Sequence, residues 1–135
     1  MLDVKAAKRW GGKTMFIPSP LMVDKIMKSV PKGKLINVAG IRAYLAKKNA
    51  CDIACPLTTG IFTWISANAA EEQQLSGEKN TTPYWRTLKS EGLLNEKYPG
   101  GIQRQIKQLE LEGHKIVKVG KNFIVEGWEN QLFDL

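Results

Sequence analysis

Residues able to do chemistry are few in this chain of 135 residues. There is one histidine, His114, and there are two cysteines, Cys51 and Cys55, spaced Cys-x-x-x-Cys. Two thiols and one distant imidazole fall short of the ligand set of a tetrahedral zinc site, so no metal and no other cofactor is expected. His114 stands where a helix gives way to a closing hairpin, a position that suits capping or the surface better than catalysis. Gly100-Gly101 opens a helix and could offer backbone N–H groups to an anion, although paired glycines at such a junction are more often a tight turn. No phosphate-binding glycine motif of known spacing occurs. Glu71-Glu72 at a helix end reads as a solvated face. On spacing alone the chain is a binding module rather than an enzyme. The unusual cluster is Pro83-Tyr84-Trp85-Arg86, which sets two large aromatics beside a guanidinium.

Charge narrows the kind of partner. The formal net charge is +7 and the pI is about 9.5. Residues 1–50 carry eleven Lys/Arg against two Asp, while residues 51–135 carry nine Lys/Arg against eleven Asp/Glu. A basic half suits a polyanion such as nucleic acid; the alternative is that lysine simply solubilises the surface. The start, MLDVKAAKRWGGK, has no apolar secretory core, which implies a cytoplasmic, reducing location with free thiols. Residues 53–70 carry no charge. Pro56, Gly60, three threonines, Ser66 and Asn68 make that stretch too polar to span a membrane. It is expected to be a buried helix, and no membrane partner is expected.

The elements that must position these residues fit one domain. Residues 1–18 form a basic arm, read as irregular and packed down by Trp10, Met15 and Phe16. Ser19-Pro20 starts a first helix through about Lys28, Ser as cap and Pro at the first helical position. Val30-Pro31-Lys32-Gly33-Lys34 ends it in a turn. Asn37 caps a second helix over about 38–48, with Ile41, Tyr44 and Leu45 inward and Arg42, Lys47 and Lys48 outward. Pro56 opens a third helix over about 56–72. There Leu57, Ile61, Trp64, Ile65 and Ala69 recur at helical spacing, leaving Thr58, Thr59, Gly60 and Thr63 for the exposed face. Residues 83–89 read as extended, and 90–99 as loop. A fourth helix covers about 102–112, ended by Gly113. Strands at 114–119 and 122–126 meet across Gly120-Lys121, a two-residue hairpin turn. Residues 128–135 are a C-terminal tail. Trp10, Trp64 and Trp128 are read as core or arm-packing residues. This order is mainly α with a small β hairpin, the pattern of a winged helix-turn-helix.

With these elements in order, the chain resembles the DNA-binding domain of alkylguanine-DNA alkyltransferases, and more closely their alkyltransferase-like relatives. The likeness runs over roughly residues 20–126. It rests on Val30-Pro31-Lys32-Gly33-Lys34, on Gly60, on Pro83-x-x-Arg86 followed by Gly92, on Tyr98-Pro99-Gly100-Gly101, and on Leu109-Glu110-Leu111-Glu112-Gly113. In that family the motif reads Pro-Cys-His-Arg. Its Cys takes an alkyl group from a flipped guanine, and the His and a Glu activate it through water. Here Pro83 and Arg86 match, Tyr84 holds the Cys position, Trp85 the His position, and Glu112 the Glu position. A phenol of ordinary pKa about 10 does not replace a thiolate. Alkyl transfer by that mechanism is therefore not expected, and Arg86 and Glu112 are expected to be structural. Alkyltransferase-like proteins also lack this Cys and bind alkylated guanine without repairing it; they usually keep the His.

The resemblance implies a non-enzymatic DNA-binding protein linked to repair. It would dock the third helix (Leu57, Thr58, Thr59, Gly60, Thr63) in the minor groove of double-stranded DNA. Lys32, Lys34, Arg42, Lys47 and Lys48 would reach phosphates, and Tyr84, Trp85, Tyr98, Pro83, Gly100 and Gly101 would line a pocket for an everted base. A monomer, nucleoid-associated when bound, is expected, with another repair protein as a candidate partner. Two family features are missing: about Val38 replaces a Tyr near the target phosphate, and Leu57 and Thr58 replace an Arg finger. Leu57 could act as an apolar wedge instead. Two alternatives stay open. One is a protein-interaction module whose aromatics fill the old pocket. The other is an alkyltransferase with its acceptor moved to Cys55, weighed against a semi-buried structural thiol.

Overall fold

The computed structural model describes residues 7–10 and 13–135. The leading basic segment, expected to be irregular, is instead a hairpin of β1 (Ala7–Trp10) and β2 (Lys13–Phe16). Its β2 edge pairs in parallel with β4 (Ile53–Ala54) through Met15↔Ile53 and Phe16↔Ala54. Phe16 is fully buried and Met15 half-buried. The pairing of β2 with a strand almost forty positions away leaves no local signal, and the hairpin itself, Trp10 opposite Lys13, has strands too short and basic to show a clear alternation. The side chain of Trp10 lies outside the described residues.

Local signals place the helices. Helix α1 (Pro20–Lys28) begins at Ser19, whose hydroxyl accepts from Met22 N at 3.3 Å, with Pro at the start. It buries Val23, Ile26 and Met27. The strand β3 (Ile36–Asn37) pairs in parallel with β5 (Thr87–Leu88) and leads into α2 (Val38–Lys48). Asn37 caps α2 by accepting from Gly40 N at 2.7 Å. Helix α3 (Pro56–Leu75) is the longest and packs against α1 and α2. Two consecutive glycines with positive φ, Gly100 (+79°) and Gly101 (+70°), turn the chain into α4 (Gly101–Leu111). Side chains with a Cβ rarely take that geometry. Strands β6 (Ile116–Val119) and β7 (Asn122–Val125) form the closing hairpin around Gly120-Lys121, as the turn chemistry predicts.

Two packed clusters result. Phe16, Val23, Met27, Ile36, Ile41 and Leu45 anchor the larger; Leu35, Leu88, Leu94, Leu109 and Val125 make the smaller, under the hairpin. Trp85 packs against both. The C-terminal tail is docked on the domain: Leu35 N donates to Gln131 O at 2.9 Å and Phe133 N to Leu35 O at 2.7 Å. Trp128 packs on the smaller cluster against Gly92, where any Cβ would fall 2.3 Å from its ring. Among the described residues no helix is long and apolar enough to cross a membrane.

Candidate functional site

The Pro83–Arg86 motif is a 3-10 turn at Tyr84–Arg86 followed by β5, rather than the extended segment expected. Tyr84 is 1 % exposed and Tyr98 3 % exposed. The Tyr84 ring meets Trp85 and Tyr98 edge-on, each at 5.3 Å between centroids, a favoured aromatic geometry. Tyr98 Oη donates to Thr87 O at 2.9 Å. Tyr84 Oη reaches Glu71 Oε1 at 3.5 Å, and Glu71 in turn pairs with Arg104 at 3.1 Å. Tyr84 and Tyr98 are therefore core residues, packed ring against ring. Pro83, Trp85 and Arg86 instead border a surface hollow of about 470 Å³, which Lys28 and residues of the 74–81 segment complete. Burial, then the Glu71 charge, raises the Tyr84 phenol above its ordinary range, and burial drives Tyr98 far up. Neither phenol supplies an anionic nucleophile near neutral pH.

Arg86 ties three segments together. Its Nε and Nη2 donate to the Glu112 carboxylate at 2.9 and 2.6 Å, and Nη1 donates to Val30 O at 2.7 Å. Both side chains are largely buried, 13 % and 7 % exposed. Burial pushes the Glu112 carboxyl up, but the Arg86 hydrogen bonds and charge, helped by the Trp85 indole and the Gly33 amide, outweigh it and hold it below the usual carboxylate range. The Trp85 indole N–H is buried and points its weak influence at Glu112 without making a hydrogen bond of good geometry. His114 lies nearby, its pKa lowered chiefly by burial. Gln105, also buried, closes the motif's other side, accepting from Asn95 N at 2.8 Å and donating to Trp85 O at 3.2 Å.

Helix α3 is turned over relative to the expectation. Thr59, Thr63, Ser66, Ala67 and Ala70 face inward. Leu57 (72 % exposed), Ile61, Trp64 and Ile65 face outward, and Ala69 with them. Trp64 is therefore a surface residue rather than a core one, at 44 % exposure. Both sets recur at helical spacing, and they are offset by two positions, about 200° around the helix. Spacing alone could not choose between them. Close packing on α1 favours small side chains, and the buried hydroxyls are satisfied locally: Thr59 Oγ1 donates to Cys55 O and Thr63 Oγ1 to Gly60 O, each at 2.7 Å. The repeated small-residue stripe was the signal for this inner face. Thr58 and Gly60 are half-buried.

The basic residues of the first half stay solvated. Lys32, Lys34, Lys47 and Lys48 are exposed. Arg42 is half-buried and its Nε donates to Ala54 O at 3.3 Å, which places its guanidinium beside the start of α3. None of these five forms an ion pair among the described residues; in the first half Lys28 pairs with Asp24, and in the second Arg86, Lys89, Arg104 and Lys115 form pairs while Lys79, Lys97, Lys107, Lys118 and Lys121 do not. Cys55 caps α3, its sulfur accepting from Thr58 Oγ1 at 3.1 Å and Thr58 N at 3.5 Å. Burial works to raise its pKa; the Thr58 hydroxyl and amide, the Leu57 amide and the Arg42 charge prevail and lower it. The tertiary contact with Arg42 adds to the helix N-terminus that the sequence alone suggests. Cys51 and Cys55 are free, and the described residues hold no cluster able to bind a metal ion.

No protein-family model and no curated protein sequence matches the chain. Among solved structures, it is similar to S. pombe Atl1, an alkyltransferase-like protein, in complex with damaged DNA containing O6-carboxymethylguanine. That likeness has a TM-score of 0.56 at 18 % identity and covers 86 % of this chain and 94 % of that one. It is also similar to an S. pombe ATL structure in complex with DNA, with a TM-score of 0.59 at 19 % identity and the same coverage. The fold is thus the mainly α fold with a small hairpin that the resemblance implied, of the alkyltransferase C-terminal type.

Proposed function

We propose that this chain is a non-enzymatic DNA-binding protein with a repair-related role, which binds duplex DNA without drawing a base into the Tyr84 centre. The observation that carries the reading is the set of unpaired cations. Lys32, Lys34, Arg42, Lys47 and Lys48 lie on the segments leading into α3 and have no carboxylate partner among the described residues. Free ammonium and guanidinium groups gain most from phosphates, through counterion release. Similarity of fold to a protein seen on damaged DNA supports the same role. In this reading α3 enters the minor groove with Leu57 as an apolar wedge, a known way to unstack a step without an arginine. Tyr84, Trp85 and Glu112 maintain the fold, since the buried phenols and the Arg86-bound carboxylate leave no nucleophile and no free base.

Duplex titration by fluorescence anisotropy across salt concentrations tests this. Five phosphate contacts would give a slope of log K against log salt of about −4 to −5. Absence of binding at low salt would sink the reading. A second reading, a protein-interaction module on the same fold, is favoured by one observation: Leu57, Ile61, Trp64 and Ile65 form an exposed apolar row on α3. Tighter binding to a lesion-containing duplex than to a plain one would count against it. Acceptor chemistry at Cys55 is separable by mass: an alkyl adduct after incubation with alkylated DNA would establish it, and an unchanged mass removes it.

A further inference from the structure

Five large apolar side chains exposed among the described residues lie on α3: Leu57, Ile61, Trp64, Ile65 and Leu75. The others, Leu21, Leu111, Val119 and Leu132, stand singly on separate parts of the fold. Leu57, Ile61, Trp64, Asn68 and Leu75 follow one another at intervals of 4, 3, 4 and 7 positions. That is the 3.5-residue repeat by which one helix meets another along its length. Glu71, at the remaining position of the repeat, turns away to pair with Arg104 at 3.1 Å. Asn68 is bent back onto its own helix, its Nδ2 donating to Trp64 O at 2.9 Å, which ties down one amide donor within the seam.

Charge decides what can cover such a seam. No residue from 53 to 70 is charged, so the seam is neutral on a chain of net charge +7. A second copy can therefore meet it there without bringing like charges together. The two ends of the seam differ. Near the C-terminal end Glu72 is exposed and forms no ion pair among the described residues. Beside the N-terminal end stands Arg42, also without an ion pair there, held by its bond to Ala54 O. A second α3 laid antiparallel, with Ile61 opposite the partner's Trp64, sets Glu72 opposite the partner's Ile53, next to the partner's Arg42. The two-fold axis makes that pairing occur twice. A parallel arrangement would bring Glu72 to Glu72 and Arg42 to Arg42. Opposed helix dipoles favour the antiparallel orientation as well. One copy thus carries both the apolar stripe and the two end charges that a second copy completes.

We propose that the outer face of α3 is a homodimer interface, in which two copies pack their α3 helices antiparallel about a two-fold axis. This dimer takes the place of the monomer that the resemblance implies. A single pair of helices about 30 Å long makes a small interface. The dissociation constant is accordingly expected on the order of 10–100 μM. The same face would enter the groove in the reading above, so a duplex and a second copy exclude each other, and the dimer is the state of the DNA-free chain. The test contains no DNA and so succeeds or fails independently of that reading. Sedimentation equilibrium of the full chain, at one moderate salt concentration and from about 1 to 500 μM, should show the mass rising from 15.1 kDa toward twice that value. Ile61→Asp, at the centre of the seam, should abolish the rise; Ile61 is exposed, so the far-UV circular dichroism should match that of the parent. Glu72→Arg and Arg42→Glu should each weaken association about 10-fold on their own. An equimolar mixture of those two variants should regain the parent's association, because each copy then meets its opposite charge on the other. A mass of 15.1 kDa at every concentration, a rise that survives Ile61→Asp, or a mixture that associates no better than its components would each overturn the proposal.

Discussion

Around Tyr84 the side chains are large, buried and paired; along the outer face of α3 they are large and exposed. The resemblance would make both places functional, one as a base pocket and the other as the helix that meets DNA. At the first, the Tyr84 and Tyr98 rings and the Arg86–Glu112 pair are packed as core. At the second, Leu57, Ile61, Trp64 and Ile65 stand in water while threonine, serine and alanine face inward. Burying a Leu or Ile is worth roughly 1.5–3 kcal/mol, so their exposure needs a reason beyond stability. Contiguous exposed apolar residues of this kind commonly mark a binding surface. The contrast teaches that the packed centre and the exposed helix face are independent features, and that each can be probed alone.

The largest expected effect breaks the buried side of the contrast. Arg86→Met would strand a buried carboxylate and a carbonyl, and should cost ~3–5 kcal/mol in urea unfolding. A loss below about 1 kcal/mol would mean the pair is not what holds Val30, Arg86 and Glu112 together. Tyr84→Ala should cost about 3 kcal/mol or more by leaving a cavity, while Tyr84→Phe should cost about 1 kcal/mol, because the contact with Glu71 is long. If Tyr84→Ala also gains affinity for a duplex with an everted base, the ring is the plug.

Thr63→Leu, on the inner face of α3, should lose ~1–3 kcal/mol by overpacking against its neighbours. A neutral result would mean that α3 can roll and that its two faces are interchangeable. The pH dependence sharpens the Arg86 contact. Because the folded Glu112 pKa is lowered, its contribution is complete above the unfolded value of about 4.3 and is lost as pH falls through the folded value. Glu112→Gln should therefore flatten that part of the acid limb of stability, and an unchanged limb would show that other carboxylates carry it. The smallest effect on stability belongs to the outer face: Leu57→Ala should change it by no more than ~0.5 kcal/mol. The same substitution should weaken duplex binding severalfold in anisotropy. Unaltered DNA affinity, together with loss of a protein partner, would move the function to the second reading.

Much of the fold was legible because its signals are local. Ser19-Pro20, Asn37, Pro56 and Gly100-Gly101 each mark a helix start through a cap or a fixed dihedral, and the structure begins its helices there. The parallel pairing of β2 to β4 was not legible, since its partner lies far along the chain. The β1–β2 hairpin did have a local signal, Gly11-Gly12 between Trp10 and Lys13, but its short basic strands lack a clear apolar alternation. In the candidate site, residue types alone told that Tyr84 and Trp85 cannot do thiol chemistry. They did not tell that Tyr98 would join Tyr84 in the core, or that Arg42 would reach the end of β4 beside Cys55.

By itself the sequence determined the helix starts, the closing hairpin, the uneven charge and the absence of a cysteine from the Pro83–Arg86 motif. All of these follow from backbone preference, side-chain count or functional-group identity, which do not depend on what lies across the molecule. The tertiary structure alone decided which stripe of α3 faces water and that Tyr84 and Tyr98 are core while Pro83, Trp85 and Arg86 border a hollow. It also decided which cations lack a carboxylate. Each of those outcomes depends on how closely a second element approaches, and period and composition are blind to that distance.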